Sequence, residues 1–292
     1  MEKPTINCVI PTHGRDHLLL KALESVRLQT RQPERVTVVD DTGSESTRVL
    51  VSGFVGLPCI AYLDNSGAEH PGASSSRNAG AWSAESDFLA FLDDDDRWEP
   101  EFLEESLAAI GYSGADLATA PGTVEFGSGF AERPWLAKRV LTHRECLAWN
   151  PGITGSSFVI SAESFRSIGG FDERLPVFND LDLFVRFLAR NYKYTVLTAP
   201  RFIQTADGAG HLSSRNERRA RGVRMYMEKH RAELRWHQRR RLLREIHLSK
   251  RYKGQALSLR AYHFVVMWLL SSPTQFIQVL RAKISGRGTM YA

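Results

Sequence analysis

The sequence predicts an α/β fold: a largely parallel sheet with helices on both faces, a mixed-sheet second half and a helical C-terminal extension. Three observations carry this expectation. Apolar runs of strand length alternate with amphipathic stretches of helical period through the first hundred residues, the pattern of a parallel sheet. Two of those runs end in acidic residues, Asp40 and Asp41 after one and Asp93 to Asp96 after another, where open α/β sheets place their ligands. From Ser214 onward the alternation gives way to basic and then apolar helical sequence.

The elements follow in order. Ile6 to Ile10 reads as a buried strand stopped by Pro11, which lacks the N–H a ladder needs. Leu18 to Thr30 has the spacing of a helix, with Leu19, Leu20, Ala22, Leu23, Val26 and Leu28 expected on its apolar face. Val36 to Val39 is the second strand, Glu45 to Val51 a short helix, and Cys59 to Leu63 the third strand. Ser74 to Ala84 is a helix leading into the strand Asp87 to Leu92. Strands follow at Ala115 to Ala120, Thr123 to Phe126 and Phe158 to Ile160, the last running into a helix that Gly169 and Gly170 end. Leu181 to Leu188 is amphipathic, and Tyr194 to Leu197 and Arg201 to Gln204 return to strand. The domain is expected to close near residue 213, dividing at residue 98 into a parallel first half and a mixed-sheet second half. Residues 214–292 then form a basic helix to about Lys250, a break at Lys253 and Gly254, an apolar helix from Ala256 to Leu270, a third from Pro273 to Ile284, and a frayed end.

Composition excludes several classes. The 292 residues are 42% hydrophobic and 24% charged, without low-complexity tracts or repeats, as for a globular protein. Three scattered cysteines, Cys8, Cys59 and Cys146, form no metal-type pair and suit a reducing, cytoplasmic setting. Met1 to Pro4 carries no apolar signal region. Phe264 to Leu270, the longest apolar run of the tail, is far short of the ~20 residues that span a bilayer. The net charge of +5 conceals an asymmetry: residues 215–253 hold 15 Lys or Arg against 4 Glu, so the rest of the chain is net acidic. Nucleic acid is not the expected partner, because no recognition motif accompanies the charge. The expectation is docking at the inner face of a membrane, with packing of the C-terminal helices against the preceding domain or against a second copy as the competing use.

Four adjacent carboxylates repel, and need a cation or a cage of donors to coexist. In an extended turn Asp93 and Asp95 can face one ion while Asp94 points elsewhere; hard oxygen ligands suit Mn2+ or Mg2+. Asp40 and Asp41 sit where a base or ribose is commonly read. Arg77, in the helix start Ser74 to Gly80, suits a phosphate.

These residues carry a resemblance. Val9 to Arg15, Val38 to Asp41, Asn65 to Gly67 with Ser76 to Gly80, Phe91 to Trp98, Gly169 to Asp172 and Asn179 to Arg186 resemble, in the expected order over residues 5–213, the family-2 glycosyltransferases, whose fold is GT-A. The resemblance implies a metal-dependent inverting glycosyltransferase that moves a sugar from a nucleoside-diphosphate donor, UDP-linked, to a glycan or lipid-linked acceptor in surface polysaccharide synthesis. It implies that Pro11, Thr12 and Asp41 line the nucleotide pocket with Asp40 beside it, and that Arg77 meets base or diphosphate. Asp93 and Asp95 hold metal and sugar nucleotide, and Asp180 is the base. Arg15 and Asp94 are grouped with the donor residues, and His211 with the metal ligands. Thr154, Gly155 and Ser156, with Asn179, are expected at the acceptor. The chain departs from the family in His13 and Gly14 where Tyr-Asn is usual, in Thr42 and Gly43 where Gly-Ser follows the acidic pair, and in Asn179 where the base is commonly preceded by Glu. A nucleotidyltransferase would want a Gly-rich phosphate loop, and Pro11 to Arg15 is not one. A degenerate adaptor protein is the non-enzymatic alternative.

Overall fold

The computed structural model describes residues 3–127, 129–133, 140–205, 216–251 and 255–271. The chain divides into two compact units, Met1–Ala209 and Gly210–Ala292.

The first unit is built on β1 (Ile6–Thr12), all seven of whose residues are buried. In order follow α1 (Asp16–Arg27), β2 (Arg35–Asp40), α2 (Glu45–Gly53), β3 (Ile60–Asp64), α3 (Ala73–Trp82), β4 (Phe88–Phe91), β5 (Asp96–Trp98) and α4 (Phe102–Ser113). The second half contains β6 (Leu117–Thr119), β7 (Gly122–Phe126), β8 (Gly129–Arg133), α5 (His143–Cys146), a 3-10 turn (Gly155–Ser157), β9 (Phe158–Ser161), α6 (Ala162–Ser167), α7 (Asn179–Ala189), β10 (Tyr194–Val196) and β11 (Phe202–Thr205). A seven-stranded sheet has the order β10-β6-β9-β4-β1-β2-β3. β1 to β4 are mutually parallel, while β9 runs antiparallel to both β4 and β6. A smaller sheet, β5-β11-β7-β8, lies beyond the acidic turn.

The strand order reverses at β1, which has β2 on one side and β4 on the other. Such a switch point leaves a crevice at the carboxyl ends of the strands, and Thr12, Asp40 and the acidic run all stand there. On one face of the sheet, Ile6, Cys8 and Ile10 pack with Leu19, Leu23 and Val26 of α1 and Phe102 of α4. On the other, Phe91 meets Phe165 and Phe171 at ring-centroid distances of 5.3 and 5.2 Å. Gly80 lets α3 approach the sheet: a Cβ there would fall 2.4 Å from Val9 Cγ1. The buried Asn7 side chain donates to the Gly80 carbonyl (3.1 Å) and accepts from Thr37 Oγ1 (3.1 Å), so no polar atom of that contact is stranded.

Several boundaries differ from the sequence expectation. Pro11 does not end β1, which continues to Thr12. The Val9 carbonyl accepts from Leu92 N, so Val9 faces β4, and Pro11, two residues on, faces the same way. The last β1–β4 pair is Val9 with Phe91, so the missing N–H costs no ladder bond. α4, β5 and β8 lie outside the expected elements.

In the second unit the expected single basic helix is two, α8 (Glu217–Lys229) and α9 (Trp236–Ser249). The turn between them is tied by the amides of Glu233 and Leu234 to the His230 carbonyl. α10 (Leu257–Leu270) follows. The helix expected from Pro273, and the frayed end after it, lie outside the described residues. No described helix is long and apolar enough to cross a membrane.

Candidate active site

The acidic turn after β4, closed by Asp96 N donating to the Asp93 carbonyl (3.0 Å), sorts its four carboxylates into two groups. Asp94 is buried and turns toward β1: it accepts from Thr12 Oγ1 (2.7 Å), and Arg15 clasps it in a forked pair while reaching Asp95 with Nη1 (2.8 Å). Asp93, Asp95 and Asp96 turn the other way, each offering an oxygen within 4.8 Å of the others. Asp96 is fixed by Ser156 Oγ, which donates to it (2.6 Å) and accepts from Asp93 N (3.0 Å). Trp98 Nε1 in turn donates to the Ser156 carbonyl (2.8 Å). The segment 154–157 therefore braces the acidic turn from the side of the second half.

Burial sets the electrostatics. It pushes the Asp94 carboxyl up to about 6, against the pull of Arg15 and Thr12. It raises Asp96 well above the carboxylate range, and the charges of Asp93 and Asp95 add to the rise. A cation among the three would reverse that repulsion. Three convergent oxygen donors with strained charges fit a hard divalent ion.

Arg77 enters from α3. It is 4% exposed, pairs with Asp93 through Nη2, and lies 5.2 Å from the Phe171 ring centroid. Among the described residues its Nε and Nη1 have no hydrogen-bond partner, and neither has the buried Thr154 Oγ1. Gly155 makes room for the guanidinium: a Cβ there would be 2.4 Å from Nη2.

Asp40 is engaged by its own loop. It accepts from Thr42 N (2.9 Å), Thr42 Oγ1 (2.7 Å), Ser44 N (2.7 Å) and Tyr62 OH (3.0 Å). Asp41 is the member of that pair turned to His13, whose Nδ1 lies 2.5 Å from its carboxylate. His13 stands in a departure from the family pattern, and its ring is mostly exposed.

Asp180 lies in the first turn of α7, behind Phe178, which adopts a left-handed φ of 61°. Such a backbone is strained for a bulky residue and is common beside functional groups. Asp180 Oδ1 accepts from Leu181 N (2.8 Å). Burial raises its carboxyl, opposed by that N–H and by the charges of Arg77 and Arg133, and reinforced by Asp93. These influences place Asp180 in the electrostatic neighbourhood of the acidic turn. Asn179 faces scaffold: its Nδ2 donates to Ser74 Oγ (2.8 Å) and its Oδ1 accepts from Asp180 N (2.8 Å). Asp182 and Arg186 form an i,i+4 pair (2.7 Å), and Arg186 also donates to the carbonyls of Ile168 and Gly170 (2.6 Å each). Asn78 clamps the next residue by donating to Phe171 O and accepting from Phe171 N, both at 2.9 Å.

The structure thus brings Thr12, Arg15, Arg77, Asp93, Asp94, Asp95, Gly155, Ser156 and Asp180 to one edge, with Pro11 and Asp41 at the adjoining strand ends and Thr154 beside Gly155. His211 lies outside the described residues. Arg133, whose charge acts on both Asp96 and Asp180, joins the site from β8. Nothing in its sequence neighbourhood signals it. Asp96 was legible only as part of the acidic run.

A parallel half built on β1 to β4, an antiparallel insertion at β9 and an acidic turn at the switch point define a GT-A fold. Residues 8–169 match the family described as Glycosyl transferase family 2, and the chain belongs to that family. An uncharacterized glycosyltransferase of Haemophilus influenzae is 30% identical over 63% of this chain and 62% of its own length. Succinoglycan biosynthesis protein ExoO of Rhizobium meliloti is 29% identical over 60% of this chain and 47% of its own. The chain thus spans less than two thirds of either relative. Among solved structures, S. aureus TarS 1–349 in complex with UDP-GlcNAc superposes with a TM-score of 0.64 at 21% identity, covering 91% of this chain and 79% of that one. The mannosyltransferase PcManGT from Pyrobaculum calidifontis, in complex with GDP-Man and Mn2+, gives 0.61 at 15%, covering 100% and 83%. At these identities the two structures share the fold with this chain.

Proposed function

We propose that the chain is a metal-dependent inverting glycosyltransferase that moves a sugar from a UDP-linked donor to a hydroxyl of a glycan or lipid-linked acceptor. The observation that carries this is the convergence of Asp93, Asp95 and Asp96 at the sheet's switch point, with Asp180 in their electrostatic neighbourhood. Asp93, Asp95 and Asp96 are the residues that would hold Mn2+ or Mg2+, which when bound neutralises charge developing on the departing diphosphate. Asp180 takes the proton from the acceptor hydroxyl as its oxygen bonds to the anomeric carbon. The bond from that carbon to the diphosphate breaks on the opposite face, and the diphosphate leaves with the electron pair. Residues 1–98 serve the nucleotide, with Asp41 and His13 at its base, and residues 99–213 the acceptor, near Thr154. A relative in succinoglycan biosynthesis favours a role in surface polysaccharide synthesis, on the cytoplasmic side.

The test is release of UDP from UDP-sugars with Mn2+, with Mg2+ and with chelator. Turnover that needs the ion and is lost in Asp95→Ala and Asp180→Asn is expected. Undiminished turnover by Asp180→Asn overturns the base assignment, and full activity in chelator overturns the metal.

A further inference from the structure

The second unit joins apolar surface to positive charge. α10 packs on α9 through a narrow face, with His263 and Met267 as its buried residues. The two helices run antiparallel, Arg240 meeting the Leu270 end and His247 meeting His263 (2.9 Å). Leu257, Tyr262, Phe264, Val265, Trp268 and Leu269 are each between 43% and 78% exposed. A solvated helix keeps its outward face polar, and this one does not. Arginine flanks it at two places. The Arg251 guanidinium lies 4.8 Å from the Phe264 ring centroid. That of Arg240 lies 5.4 Å from the ring of Trp236, itself 73% exposed, and donates to the carbonyls of Leu269, Leu270 and Ser271 (2.8–3.1 Å). Exposed Arg218, Arg221, Arg224 and Arg239 add to the charge of α8 and α9.

We propose that this unit docks on an anionic lipid surface, with the aromatic and aliphatic side chains of α10 at the headgroup boundary and the arginines on lipid phosphates. Trp and Tyr prefer that boundary, where one end of the ring is dry and the other wet. The 14 residues of α10 are too short to span a bilayer, which takes ~20, so the helix lies in the interface. A second copy is the other occupant of such a face. Pairing two copies through this face would set against each other two segments that each carry 15 basic against 4 acidic residues; an anionic leaflet opposes the same segment with the opposite charge.

The test is flotation of the full chain with vesicles of phosphatidylcholine alone and with phosphatidylglycerol added, at low and high salt. The chain is expected to float with the anionic vesicles and to be released by salt. Trp268→Ser with Leu269→Ser, both exposed in the free unit, weakens partitioning by about tenfold or more. Arg218→Gln with Arg221→Gln weakens it by about fivefold for each arginine. UDP binding, read by thermal shift, stays unchanged in both variants, which separates this surface from the donor site. Wild-type chain that stays unbound on anionic vesicles overturns the proposal, as does equal flotation on neutral ones. A dimer in light scattering that Trp268→Ser with Leu269→Ser makes monomeric also overturns it, assigning the face to a second copy.

Discussion

Arg77 and Gly155 form the tightest local dependence in the site. The guanidinium lies between Phe171 and the Gly155 backbone, paired with Asp93, so it acts on the acidic turn from beneath. Gly155→Ala would set a methyl 2.4 Å from Nη2 and force the guanidinium off Asp93. We expect a stability loss of about 1–3 kcal/mol from overpacking, seen in urea denaturation. The loss of turnover should be larger than that of folding, because Asp93 is left beside Asp95 and Asp96 without its cation. Unchanged kcat in a folded variant would show that Arg77 does not govern the turn. Asp180 gives a pH prediction. A base must be unprotonated, and burial raises this carboxyl above its ordinary value of 3.8. Activity should therefore fall on acidification at a higher pH than an unperturbed aspartate would give, and recover as pH rises through the raised value. A kcat–pH profile flat across the acid side, in a chain still folded, would contradict the assignment.

Between elements, glycines separate close packing from free surface. Gly80 of α3 has Val9 Cγ1 at 2.4 Å and Val39 Cγ2 at 2.9 Å from a built Cβ, whereas Gly111 of α4 has nothing within 4 Å. Gly80→Ala should lose about 1–3 kcal/mol by pushing α3 off the sheet, and Gly111→Ala should gain about 0.5–1 kcal/mol by removing chain entropy from the unfolded state. Urea midpoints of the two variants should move in opposite directions; a shared direction would mean that α3 is free to shift. The same contrast shows what was legible in the sequence. β1, β2 and β4 are short and mostly apolar, and the runs of β2 and β4 lead into acidic residues, so period and position locate them. β5 and β8 are not legible, since Asp96 to Trp98 and Gly129 to Arg133 become strands only by pairing with β11 and β7. α4 carries its own signal, with Phe102, Leu103, Ser106 and Ile110 buried at helical spacing, obscured by the acidic residues around its start. In the site, the separation of Asp94 from Asp93 and Asp95 was readable from the alternation expected of an extended run, whereas the turn that brings Asp96 to their side was not. The roles of Arg133 and Ser74 were not, because they depend on which distant segments fold together.

Over the whole molecule, charge is partitioned in a way that bears on donor binding. Residues 1–214 hold 19 Lys or Arg against 29 Asp or Glu, while 215–253 hold the basic excess. On the proposed function, a diphosphate enters a net acidic unit whose crevice already holds converging carboxylates. Coulomb repulsion between like charges in a partly buried site is not screened as it is at the surface. Nucleotide and cation should each bind weakly alone and strongly together, since each removes the other's repulsion, and the coupling must be equal in both directions. In thermal denaturation, UDP with Mn2+ should raise Tm by more than the sum of the two separate shifts, because binding to the folded state adds to stability. Asp95→Asn should abolish the excess while leaving the fold intact, as Asp95 is not part of the core. Additive shifts, or an undiminished UDP shift in chelator, would mean that Arg15, Arg77 and Arg133 neutralise the diphosphate without an ion. That outcome would move the charge stabilisation from the acidic turn to the arginines around it.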